Sequence, residues 1–111
     1  MNKLQKIFNK VAKHLLKQNA KSTSDTWTSL YRAENGLKCA AGCLVSDKEY
    51  DATQENWGWR MTKWCAKYTE EENDLILILQ QVHDDYPVKA WKSELVRVAK
   101  ENDLKLIPEL K

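Results

Sequence analysis

Apolar residues recur near the start of the chain at the spacing of one helical face: Leu4, Ile7, Phe8, Val11 and Leu15. That period predicts an amphipathic helix over residues 2–19. Lysines keep the same period on another face, as Lys3, Lys6, Lys10, Lys13 and Lys17. At about 100° per residue their arc points well away from the apolar stripe. Residues 22–26, Ser-Thr-Ser-Asp-Thr, then read as a polar linker. Beyond it, Asn35-Gly36 separates two strand-like runs and predicts a β-hairpin over 28–42. A type I′ turn there pairs Glu34 with Leu37, Arg32 with Cys39, Tyr31 with Ala40 and Leu30 with Ala41.

The second half reads as helical. Ser46 with Glu49 is a capping-box pattern opening a short helix near 47–50. Trp57, Met61, Trp64 and Tyr68 recur at helical spacing, which predicts a helix over 57–68 with those four facing the core. Thr69 with Glu72 is a further capping box, and Glu70 to Glu72 suit the positive end of a helix dipole. The apolar run Leu75 to Leu79 makes that element the expected central helix. Pro87 suits the first turn of a last helix that buries Trp91, Leu95, Val98 and Ala99. Leu104, Leu106 and Ile107 read as a short strand or tail. The expected fold class is α+β: a single small domain, 1–111, of four or five helices packed around one β-hairpin.

Composition sharpens this pattern. A chain of 111 residues fits one domain, and its charged fraction of 31% beside 42% hydrophobic residues excludes a disordered polymer. Net charge is +2, but the sum conceals an asymmetry. The first 21 residues hold six lysines and no acid, and the other 90 carry 12 basic and 16 acidic side chains. No apolar stretch approaches the roughly 20 residues of a membrane span, and the Lys-rich start lacks a signal's apolar core. Three cysteines, an odd number, then point to free thiols in a reducing cytoplasm.

Four sets of residues could carry chemistry or binding. Cys39, Cys43, Cys65 and His83 could form a Cys₃His zinc site or a thiol centre, but their spacing matches no knuckle and small buried thiols suit a hairpin face. His83-Asp84-Asp85 reads either as an acid–base cluster or as the end of one helix and the cap of the next. No Walker, dinucleotide, kinase or nucleophile-elbow motif is present, so neither an enzyme nor a cofactor is expected. The aromatic–cationic segment from Trp57 to Tyr68 puts Trp59 off the expected core face beside Arg60, Lys63 and Lys67, an expected protein-binding surface. The alternative is nucleic-acid binding by Lys3, Lys6, Lys10, Lys13 and Lys17. Trp27 has no assigned place beside the hairpin.

The block Lys38-Cys-Ala-Ala-Gly-Cys-Leu44 within 31–50, the run Leu79-Gln-Gln-Val-His-Asp84, Trp91 and the segment 95–99 together resemble a loose family of small phage, prophage and bacterial proteins. The resemblance implies a small soluble accessory protein in the host cytoplasm, of a kind that binds and redirects host proteins, defence systems included. It carries over no catalytic residue.

Overall fold

Asn2 opens the first helix: its side-chain oxygen accepts from the Gln5 N–H at 2.8 Å, satisfying one of the donors that a helix start leaves orphaned. α1 then runs over Lys3–Gln18 in a computed structural model that describes residues 2–111. It stops at Asn19, which takes a left-handed φ of 52° and donates its N–H to the Leu15 carbonyl. Ile7, Phe8, Val11, Ala12 and Leu15 are buried, as the apolar period requires. α2, Glu70–Asp85, starts in the expected capping box, with Thr69 and Glu72 exchanging hydrogen bonds of 2.8 and 3.1 Å. α3, Trp91–Glu101, follows a 3₁₀ turn at Val88–Ala90 that separates it from Pro87. Each helix packs on the other two, with Leu75, Ile76, Leu79 and Val82 of α2 and Trp91, Leu95, Val98 and Ala99 of α3 buried at the contacts. Among the described residues, no helix is long and apolar enough to cross a membrane. The tail after α3 is extended, buries Ile107, and closes in a 3₁₀ turn at Pro108–Leu110.

The expected α+β architecture is overturned. Among the described residues there is no sheet, only the isolated bridges Thr23↔Ser29 and Arg32↔Lys38, and the fold is all-helical. No hairpin spans 28–42. Gly36 alone takes the left-handed conformation, at φ 83°, and the Ala33 N–H donates to the Leu37 carbonyl. The loop is therefore three residues long rather than two, and Arg32 faces Lys38, not Cys39. A slip of one residue exchanges the faces of a strand. The second run never becomes one: Cys43 N–H donates to Cys39 O and Leu44 N–H to Ala41 O, coiling the chain into a 3₁₀ turn at Gly42–Leu44.

Helix side chains supply what strands would have supplied. Gln18 holds both main-chain groups of Lys38, accepting from its N–H at 2.9 Å and donating to its carbonyl at 2.8 Å. Gln5 holds Lys105 in the same way. The Ala41 N–H donates to Gln80, and the Tyr31 and Arg32 N–H groups donate to the two oxygens of Glu55. Ser22 N–H donates to Nε2 of the fully buried His83 at 3.0 Å. That bond leaves the His83 proton on Nδ1, which donates to Asp84 at 2.7 Å. His83 and Asp84 thus anchor the 20–41 segment, and Asp85 stays inside α2 rather than capping its successor.

The expected helices at 47–50 and 57–68 are corrected too. Ser46 and Glu49 make capping-box hydrogen bonds around a single turn. Residues 57–68 form two 3₁₀ segments, Trp59–Met61 and Lys63–Lys67, split by an extended Thr62 at ψ 157°. With about three residues per turn and a break, the four-residue period no longer selects one face. Trp59 and Trp64 are buried, and Trp57 and Met61 are exposed. Trp59, Trp64, Tyr31, Tyr50 and Tyr68 pack as one aromatic cluster with ring centroids 5.2–6.4 Å apart. Both buried indoles are satisfied, Trp59 donating to Asn73 and Trp64 to the Glu49 carbonyl.

Gly42 is where the connector's backbone closes on itself, because a Cβ at that position would lie 2.1 Å from the Tyr31 carbonyl oxygen. Gly42→Ala is expected to cost about 3 kcal/mol or more in chemical denaturation, since backbone and not a pliable side chain must give way. Gly58→Ala, where nothing lies within 4 Å of the new Cβ, should leave the midpoint unchanged or slightly raised.

Candidate functional site

Of the expected partner-binding surface at Trp59, Arg60, Lys63 and Lys67, the three cations are exposed and Trp59 is not. Trp59 is only 3% exposed, and its indole is spent on Asn73. All three cations have acidic partners in the same chain. Arg60 bridges Asp74 and Glu70, Lys63 pairs with Asp51 at 2.8 Å, and Lys67 pairs with Glu49 at 2.9 Å. The Lys67 hydrogen bond holds the Glu49 carboxyl below its usual range, and Glu49 in turn raises Lys67. This segment is a latch closed over the aromatic cluster, with its charge already answered.

Cys39, Cys43, Cys65 and His83 are not brought together; among the described residues, no cluster of His, Cys, Asp or Glu converges on a metal position. Both ring nitrogens of His83 are engaged by Ser22 and Asp84, so a metal would have to displace a buried hydrogen bond. Cys39 is buried and its sulfur accepts from Gly42 N–H. Cys43 donates to the Ala40 carbonyl, and Cys65 to those of Arg60 and Thr62. Burial pushes the Cys39 and Cys43 thiols up to about 12, the opposite of what a nucleophile needs.

The lysines of α1 are placed differently. Lys3, Lys6, Lys10, Lys13 and Lys17 are all exposed. No ion pair among the described residues involves any of them. At about 1.5 Å per residue the row spans roughly 21 Å on a straight rod. Its far side is pinned, since Gln5 and Gln18 clamp main chain and the apolar stripe is buried. The row therefore cannot rotate to seek partners. His14 beside it donates Nε2–H to the Lys38 carbonyl. Its pKa is lowered, first by burial and then by the positive charge of Lys38 and Lys10, among other contributions.

No protein-family model, curated protein or solved structure matches the chain. The functional reading therefore stands on geometry. Reasoning from sequence missed that Trp57 and Met61 face solvent. It also missed the Glu55 carboxylate holding two consecutive amides. Nothing local in the sequence marks either.

Native protein treated with iodoacetamide near pH 8 should leave Cys39 and Cys43 unmodified, because at a pKa of about 12 only about one thiol in ten thousand is thiolate there. Both should react once the chain is unfolded in denaturant. Rapid native labelling of either, read by peptide mass mapping, would contradict the placement.

Proposed function

We propose that the protein binds the phosphate backbone of nucleic acid through Lys3, Lys6, Lys10, Lys13 and Lys17 on α1. One contrast supports the reading. Arg60, Lys63 and Lys67 each have a carboxylate partner in the chain, and the five α1 lysines, equally exposed, have none. A fixed row of ammonium groups suits a regular polyanion, and binding releases the counterions condensed on it. Lysine offers point charge without the bidentate geometry that arginine brings to base edges, so the expected binding is insensitive to sequence. The rest of the chain, with 16 acidic against 12 basic side chains, repels phosphate elsewhere and confines contact to this face.

Fluorescence anisotropy with a short labelled duplex tests this directly. If all five lysines reach phosphates, the log–log dependence of affinity on salt should have a slope near −4.5, at about −0.9 per phosphate. The double substitution Lys10→Gln, Lys13→Gln should leave the unfolding midpoint in place and flatten that slope by about 2 units. Absence of binding at low salt, or a slope indifferent to these substitutions, would overturn the proposal. So would preference for anionic lipid vesicles over DNA.

A further inference from the structure

Of the three large apolar side chains that the described residues leave strongly exposed, one, Trp57, lines a cleft. Trp27 is 85% exposed, Met61 73% and Trp57 50%. The cleft holds about 460 Å³, within the range of ligand-binding clefts. Trp57 forms part of its wall, Thr28 beside Trp27 forms another part, and Met61 is bonded through its N–H to the wall residue Gly58. Tyr31, Trp59 and Leu77 line its apolar part. Trp27 is held at φ 65°, a left-handed backbone that a bulky residue adopts at a cost of about 1 kcal/mol or more. The chain thus accepts strain to hold an indole in water, where an exposed aromatic patch marks an interaction surface.

The polar groups of the cleft are of one sign. Glu55 and Asp84 line it, and no lysine, arginine or histidine does. Glu55 accepts from the Tyr31 and Arg32 amides and the Tyr50 hydroxyl, and no cation pairs with it. Asp84 is bonded to His83 and Gln80 with its side chain 35% exposed. The Tyr31 hydroxyl is raised by burial first and then by nearby negative groups that include both carboxylates. An indole beside two carboxylates, neither ion-paired to a lysine or arginine, is the environment that a guanidinium or ammonium on an apolar stem fits.

We propose that this cleft docks a basic peptide segment of a protein partner, seating one arginine or lysine side chain against the Trp57 indole and the Glu55 and Asp84 carboxylates. Apolar residues flanking that cation pack on Tyr31, Trp59 and Leu77 in the apolar part of the cleft. A cleft of about 460 Å³ is far larger than a small free cation, which favours a side chain carried on a peptide. Phosphate is disfavoured here by the two carboxylates, so this surface is separate from the lysine row of α1.

The probe is the capped peptide Ac-Ala-Leu-Arg-Leu-Ala-NH₂, titrated to millimolar concentration against ¹⁵N-labelled protein while the five indole N–H resonances are followed. The Trp57 and Trp59 signals should shift in a saturable way. The counterpart with glutamine in place of arginine should bind about tenfold more weakly, the loss expected for one partly desolvated cation–π and carboxylate contact. Glu55 and Asp84 also hold the fold, so the informative variant is Gln81→Lys, which places an opposing charge on an exposed wall residue. It should weaken the arginine peptide by a similar factor and leave the unfolding midpoint unchanged. Equal binding of the two peptides, no saturable shift, or indifference to Gln81→Lys would each overturn the proposal. A short oligothymidylate that shifts Trp57 where the peptide does not would overturn it in favour of nucleic acid.

Discussion

Between α1 and α2 lie about fifty residues with no strand and no α-helix, and many of them are buried. A buried amide or carbonyl must be hydrogen-bonded or cost on the order of 1–3 kcal/mol. This chain meets that demand with side chains. Gln18 binds both groups of Lys38, Gln80 takes the Ala41 amide, His83 takes the Ser22 amide, and Glu55 takes those of Tyr31 and Arg32. Gln54 takes the amide of Lys63, and Asn73 donates to the Cys65 and Tyr68 carbonyls. α1 and α2 therefore do more than bury apolar stripes, and Gln54 and Glu55 of the connector add to them. The polar edges of the two helices are the template on which an irregular segment is ordered.

The same arrangement decides which surfaces are left for function. Gln5, His14 and Gln18 tie α1 to the body, and the arc of lysines enters no ion pair among the described residues. The latch at 59–67 is the reverse case. Its cations lock the aromatic cluster by pairing with Asp51, Glu49, Glu70 and Asp74, and so lose their value to a partner. Charge density along the sequence was thus a poor guide to charge available at the surface. What distinguishes the two Lys-rich segments is the supply of nearby acids, plentiful around the second and absent from α1.

The helices were legible because their signals are local: the 3–4 period of α1, the Thr69–Glu72 box, and the face of Trp91, Leu95, Val98 and Ala99. The connector was not, because its determinants are remote pairs. Nothing near Lys38 announces that Gln18 will satisfy it, and Gln80 reads as an ordinary surface polar residue. Asn35-Gly36 did make a turn, but with only Gly36 in the left-handed region, so the register moved and the expected hairpin dissolved after one bridge. The period of Trp57, Met61, Trp64 and Tyr68 was coincidental. The aromatic cluster took Trp59 and Trp64 instead, because Thr62 is extended and resets the phase. At the surface, the α1 lysines were readable as a row, whereas their lack of acidic partners required the fold.

Native-state amide hydrogen exchange measures the central claim most directly. If helix side chains order the connector, the amides of Ser22, Lys38 and Ala41, held by His83, Gln18 and Gln80, should open with free energies near those of the α2 interior, although none belongs to a strand or an α-helix. Exchange of these three at unprotected rates, with α2 still protected, would contradict the account.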